Sequence, residues 1–166
     1  MNAHRSPKRA RSSTARTGGQ PFAEDCLSRL PVGTILNVGA GLAKLRSERQ
    51  HIINVDLDSE MLRDVGWGIA ADVEELPFPD ESFDGALMKD VLEHVSDPIG
   101  ALREVARTCR DSALLTVTVP RAIPRAVWAD PTHIRGFTPA ALSQAMAMAG
   151  WTVVGRIERV GSLPGA

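Results

Sequence analysis

The sequence has no tyrosine, and four phenylalanines and three tryptophans make up the 4% of its 166 residues that are aromatic. So little ring surface argues against a protein that grips nucleobases by stacking. Cysteine is nearly absent too. Cys26 and Cys109 lack metal-type spacing and read as plain buried thiols in a reducing compartment. No apolar run approaches the ~18 residues needed to cross a bilayer. No apolar stretch follows the N-terminal charges, as a secretory signal would require. The expected location is the cytoplasm.

Acid is missing from the first twenty positions. MNAHRSPKRARSSTARTGGQ carries five basic side chains (Arg5, Lys8, Arg9, Arg11, Arg16). The whole chain has a formal charge of −1, so the remainder holds 14 basic against 20 acidic residues, a net −6. An acidic body argues against nucleic acid as the main partner. The basic stretch has almost nothing apolar to bury and reads as a disordered tail over residues 1–20, with 21–166 as one domain. A solvated tail or a misassigned start needs no function. The alternatives are a nucleic-acid arm, a nuclear address around Pro7–Arg11, or an organelle transit peptide.

What is present from residue 21 onward is a regular alternation. PFAEDCLSRLP suits a short helix, TILNV (34–38) a buried strand, LAKLRSERQ a short helical segment and HIINV (51–55) a second strand. DSEMLRDV suits two helical turns, GIAAD (68–72) a weak third strand, LPFPDES a loop and FDGALM (83–88) a fourth strand. Asp97 and Pro98 form an N-cap and first-turn pair, and Ile99, Leu102, Val105 and Ala106 then share one helical face. ALLTVTV (113–119) reads as a fifth strand. Thr138-Pro139 opens another helix that Gly150 closes, and WTVVGRIERV is a sixth strand. Strands alternating with helices mean βαβ units and a mostly parallel sheet, whose ligands bind beyond the carboxyl ends of the strands. The residues just past those ends are Asn37–Gly41, Asp56, Asp72, Lys89 with its neighbours, and the segment after Val119.

ILNVGAGLAKL (35–45) turns on Gly39 and Gly41, and Lys44 stands where a dinucleotide site places a third glycine. A nicotinamide-dependent oxidoreductase is disfavoured on that ground. A nucleoside with a short polar tail and no phosphates fits better, and S-adenosylmethionine is such a ligand. Its ribose diol wants a carboxylate after the second strand, where Asp56 stands 17 residues past Gly39. Its adenine amino group wants an acceptor after the third strand, where Asp72 stands. Either aspartate could instead cap its own loop.

The stretches ILNVGAG, NVDLDSEM, ADVEELPFPDESFDGALMKDVLEHVSDPIGALREVART and DPTHIRGFTPAAL cover most of residues 34–150. In them the chain resembles the class I S-adenosylmethionine-dependent methyltransferases, in particular the small type 11 group typified by ubiquinone and menaquinone biosynthesis. The resemblance implies a Rossmann-like α/β sandwich with a mostly parallel sheet of six or seven strands, helices on both faces and a short or absent lid. It implies methyl transfer to an oxygen, nitrogen or carbon of a small metabolite, or else a non-catalytic cofactor-binding domain that serves as a partner or regulatory subunit. The implied cofactor residues are Asn37, Gly39, Ala40, Gly41, Asp56, Leu57, Asp72, Val73 and Lys89. Three positions depart from the family pattern: Asn37 replaces an acid that helps hold the methionine ammonium, Ala43 a third glycine, and Asp111-Ser112 a Pro-Gly-Gly turn. The chain stops soon after the sixth strand, so a homodimer that completes the sheet edge is an expectation.

Methyl transfer is an in-line displacement at a sulfonium carbon, and positioning in a dry site supplies much of its rate. A base is needed only when the nucleophile starts protonated. His133 is the expected base or substrate-orienting group, with Arg135 for an anionic substrate group and His94 as a second substrate contact. Both His133 and Arg135 could instead tie their loop down. No metal is expected. The alternative is Mg²⁺ on Asp90, Glu93 and His94, whose i, i+3, i+4 spacing would put three ligand types on one helical face. No Asn/Asp-Pro-Pro-aromatic run follows the fourth strand, which disfavours methylation of amides or nucleobases.

Overall fold

The computed structural model describes residues 8–14, 20–41 and 45–157. Seven strands form one sheet: β1 (Lys8–Thr14), β2 (Gly33–Val38), β3 (Gln50–Asp56), β4 (Gly68–Ala70), β5 (Phe83–Lys89), β6 (Cys109–Val119) and β7 (Trp151–Ile157). Their spatial order is β4-β3-β2-β5-β6-β1-β7, and every pairing is parallel. The order runs outward in opposite directions from β2 and β5. A crevice therefore opens at their carboxyl ends, where neighbouring connections leave on opposite sides.

Side-chain alternation sorts the core into two layers. Ile35 and Leu87 point to the face covered by α1 (Gln20–Ser28), where Phe22, Ala23, Cys26 and Leu27 meet them. Leu36, Val38, Ala86 and Met88 point to the other face, which is packed by α2 (Pro98–Thr108) and α4 (Pro139–Met148) through Leu102, Val105, Leu142 and Met146. A one-residue slip of β2 would exchange these layers, so its register with β3 and β5 is fixed by burial.

The two capped helices form as the sequence predicts. Asp97 Oδ1 accepts from the N–H groups of Ile99 and Gly100 at 3.1 and 2.9 Å, and Thr138 Oγ1 accepts from Ala141 N–H at 3.1 Å. Each cap satisfies donors the first helical turn leaves open. Gly150 takes φ +91° just past the end of α4, as a C-terminal glycine does. The segment between β6 and α4 carries only the four-residue α3 (Pro124–Val127), in keeping with a short lid.

Four expectations need correction. Residues 45–49 are irregular rather than helical, and DSEMLRDV yields only a 3₁₀ turn over Ser59–Leu62. β6 runs back to Cys109, so the strand expected over 113–119 starts earlier and takes in Asp111 and Ser112. The solvated-tail reading fails for Lys8–Thr14, which lies inside the sheet between β6 and β7. Lys8 is buried, and its ammonium donates to the carbonyls of Ala106, at 2.6 Å, and Cys109. The seventh strand therefore comes from the chain itself, which removes the ground for expecting a partner to supply it. The rest of the tail reading, and Ala43 and Lys44, lie outside the described residues.

Candidate functional site

A cleft of about 430 Å³ lies over the carboxyl ends of β2, β3, β4 and β5, where the strand order reverses. Each strand delivers residues through the bend that follows it. After β2, Gly39 and Gly41 adopt φ +63° and +47°, in the region that side chains disfavour. A Cβ on Gly39 would sit 2.4 Å from Val91 Cγ2, so the glycine is required twice, for conformation and for space. After β3, Asp56 and Leu57 enter the wall, and after β4, Asp72, Val73 and Glu74. Asp90, Val91, His94, Val95 and Ser96 close the far side.

The two aspartates are anchored as well as presented. Asp56 Oδ2 accepts from Gly41 N–H at 2.7 Å, and its Oδ1 accepts from Asp58 N–H at 3.0 Å. Asp72 Oδ1 accepts from Glu74 N–H at 2.9 Å. Both cap their loops, and both also line the cleft, so the capping reading holds and does not exclude a ligand. Four carboxylates line the cleft (Asp56, Asp72, Glu74, Asp90), with no lysine or arginine among the described lining residues. Such a wall suits a cation and repels a pyrophosphate.

Not every expected residue reaches the wall. Gly39, Gly41, Asp56, Leu57, Asp72, Val73 and His94 do; Asn37, Ala40, Lys89, His133 and Arg135 do not. Asn37 is buried and donates to Asn54 Oδ1 at 2.8 Å across the β2–β3 pair. Ala40 donates its N–H to Val55 O at 3.0 Å, and Lys89 pairs with Asp90 at 2.6 Å. Arg135 donates to Ser96 O at 3.0 Å, a loop tie. The sequence reading missed Val91, Val95 and Ser96, which lie on the chain just beyond β5 and could have been found by extending the strand-end rule a few residues past Lys89.

Behind His94 lies a second group of polar side chains. No helix forms over residues 90–97, and Asp90, at φ +55°, turns its carboxylate to Lys89 and to Thr118 Oγ1 (3.1 Å). The Asp90, Glu93, His94 set of a single helical face therefore does not form. Glu93 and His94 meet His133 instead, with donor atoms within 4.8 Å of one another. Glu93 is 1% exposed, and among the described residues neither carboxylate oxygen has a hydrogen-bond partner. Burial pushes its carboxyl up to about 8. His133 Nε2 lies 3.9 Å from Glu93 Oε1, its Nδ1 bonds the carbonyl of Val127, and its ring packs edge-on against His94 with centroids 4.6 Å apart.

A methyltransferase-domain family profile of type 11 matches residues 36–117. The Vibrio cholerae ubiquinone/menaquinone biosynthesis C-methyltransferase is 32% identical over 115 residues, 58% of this chain and 44% of that protein. A Mycobacterium tuberculosis protein named as an S-adenosylmethionine-dependent methyltransferase is 29% identical over 145 residues, 81% of this chain and 53% of that one. The chain thus spans about half the length of these relatives. Among solved structures, a Thermotoga maritima protein named as an S-adenosylmethionine-dependent methyltransferase superposes with TM-score 0.64 at 26% identity, over 80% of this chain and 69% of that one. A Haloferax volcanii protein solved with the Trm112 methyltransferase activator shares the fold, with TM-score 0.66 at 22% identity, over 77% and 66% of the two chains. Sequence block, strand order and superposition agree: in sequence and in fold the chain is similar to the class I S-adenosylmethionine-dependent methyltransferases of the type 11 group.

Proposed function

We propose that this chain binds S-adenosylmethionine in the cleft and transfers its methyl group to a small metabolite. One observation carries the reading: Asp56 and Asp72 follow adjacent strands and face one cleft, beside a glycine turn and within an all-acidic set of charged walls. In this reading Asp56 holds the ribose diol, Asp72 takes the adenine amino group, Leu57 and Val73 flank the ring, and the bend at Gly39–Gly41 admits the methionine tail. The carboxylates complement a sulfonium cation and become less favourable to it once the methyl group has left, which helps the product depart.

The acceptor enters on the side of His94, Val95 and Ser96. Ile123, Trp128 and Ile134 are exposed on the segment between β6 and α4, which suits an apolar acceptor. Among oxygen, nitrogen and carbon, the similarity to a C-methyltransferase favours carbon. His94, on the cleft wall, replaces His133 as the side chain placed to contact the acceptor.

A second reading, a cofactor-binding domain that acts as a partner or regulatory subunit, draws on Asn37. Its amide is committed to Asn54 and supplies no charge to the methionine ammonium. Calorimetry with S-adenosylmethionine, S-adenosylhomocysteine and NAD tests the site, and only the first two are expected to bind. Release of S-adenosylhomocysteine in the presence of candidate acceptors separates the two readings. Absence of affinity for both sulfur nucleosides would overturn them together.

A further inference from the structure

We propose that Glu93, His94 and His133 form a binding site for a divalent transition-metal ion at the acceptor end of the cleft. A buried carboxylate with both oxygens unpartnered is rare in folded proteins and calls for a missing cation or proton. Two imidazoles beside it favour the cation. Each ring has one nitrogen already committed, and the partners fix which one.

His133 Nδ1 faces a carbonyl oxygen, which only accepts, so Nδ1 carries a hydrogen; in the neutral ring the lone pair is then on Nε2, which lies 3.9 Å from Glu93 Oε1. For His94 the chain of inference is one step longer. Asp130 Oδ1 already accepts from Thr132 N–H at 2.9 Å, so it is an acceptor. The Thr132 hydroxyl must therefore donate to Asp130 Oδ1, at 2.6 Å, and accept from His94 Nδ1 at 3.1 Å. In the neutral ring the His94 lone pair is then on Nε2. Two rings with hydrogen-bonded Nδ1–H groups and free Nε2 atoms, next to a carboxylate, form the donor set that zinc and similar ions take, with outer partners that orient each ring.

The spacing is close to what such an ion needs. Donors about 2.0–2.2 Å from a tetrahedral zinc are separated by roughly 3.3–3.5 Å, against 3.9 Å between Glu93 Oε1 and His133 Nε2. Two nitrogen donors select zinc, cobalt or a similar ion over Mg²⁺, which prefers oxygen and keeps several waters. Three protein ligands leave a coordination position free. His94 is the one member of the set on the cleft wall, so that position lies toward the acceptor and suits an oxygen donor on it.

The placing of the site at the acceptor end rests on the methyl-transfer reading; the binding of the ion does not, and its test needs no cofactor. Chelator-treated chain is titrated with Co²⁺, followed by visible absorption, and with Zn²⁺ by calorimetry, alongside Mg²⁺ as a control. The expected result is one equivalent of Co²⁺ with four- or five-coordinate d–d bands, displaced by Zn²⁺, and no binding of Mg²⁺ at the same concentrations. Glu93→Gln, His133→Gln and His94→Gln should each weaken Co²⁺ at least about tenfold. His94 is exposed, so its variant stays informative if a buried one fails to fold. Far-ultraviolet circular dichroism and a urea midpoint, measured on every sample, report an intact fold. The proposal is overturned by absence of Co²⁺ binding, by binding that all three variants retain, or by Mg²⁺ binding as tightly as Co²⁺.

Discussion

At the scale of single residues, the site was legible wherever a role follows from position past a strand. Gly39, Gly41, Asp56 and Asp72 were found that way and all line the cleft. Asn37 and His133 were not, because their roles depend on partners the sequence does not reveal: Asn54, set by the β2–β3 register, and Glu93, set by a loop docking against a turn. Asp56→Ala removes the acceptor of Gly41 N–H as well as the proposed ribose partner. Cofactor affinity should fall by about 1–3 kcal/mol, roughly 5- to 150-fold, and unchanged calorimetric affinity would take Asp56 out of the site. Gly39→Ala meets both Val91 and a positive φ. Adding Val91→Ala relieves the clash but not the backbone, so the double variant should recover part of the lost stability and never all of it. Glu93 gives a pH signature in metal-free protein. Desolvation is the main cause of its rise to about 8; its own backbone amide and Lys89 oppose the rise, Asp90 and Asp130 add to it, and the His133 ring lies 3.9 Å away. The folded state then holds a proton that the unfolded chain releases near pH 4.5. Stability is full below that value and falls as pH rises toward 8, with a slope of up to about 1.4 kcal/mol per unit. Urea denaturation across this range should show a flatter profile in Glu93→Gln; parallel profiles would contradict the burial.

At the scale of elements, caps were readable and irregular segments were not. Asp97-Pro98 and Thr138-Pro139 announce α2 and α4 through local chemistry alone. The loop over residues 76–82 reads only as two prolines, yet it has a fixed shape. Arg107, on α2, donates to the carbonyls of Leu76 and Phe78 at 3.1 and 2.8 Å and to Asp80 at 2.8 Å, while Glu104 Oε1 accepts from Leu76 N–H at 2.9 Å. Phe78 packs edge-on against Phe83 at 4.9 Å. This latch holds down the chain that leads from the Asp72 corner of the cleft into β5. Arg107→Ala leaves two carbonyls and two carboxylates without that donor and should cost about 2 kcal/mol. It should also remove an acid-sensitive contribution. The Arg107 hydrogen bond is the main reason the Glu104 carboxyl lies below its ordinary value, so that contribution is present at neutral pH and lost as pH falls through the folded value. Thermal melts at neutral and acid pH should differ less in the variant, and an equal difference would show that the latch contributes nothing.

At the scale of the whole molecule, the alternation of strands and helices gave the sheet class, but not the origin of its seventh strand. A strand buried within a parallel sheet is normally a continuous apolar run. Lys8–Thr14, KRARSST, is the reverse, and composition alone reads it as solvated. Two features offset that. Ala10 is fully buried in the core beside Leu115 and Trp151, and the Lys8 ammonium finds two carbonyl oxygens at the junction of α2 and β6. Lys8 also pairs with Asp111 at 3.9 Å, and backbone pairing with β6 over Arg9–Thr14 and with β7 over Lys8–Ser13 adds to the hold. Among the described residues β7 pairs with no other strand, so the N-terminal strand is what joins it to the sheet. Deleting residues 1–14 should therefore release β7 and uncover Ala149 and Trp151, with a lower urea midpoint and a smaller denaturant slope, since less surface remains to be exposed on unfolding. Lys8→Met, which keeps the stem and removes the donors, should lower the midpoint while leaving the slope unchanged. If the truncated chain unfolds with the midpoint and slope of the full one, the segment is not part of the sheet, and β7 must find its neighbour elsewhere.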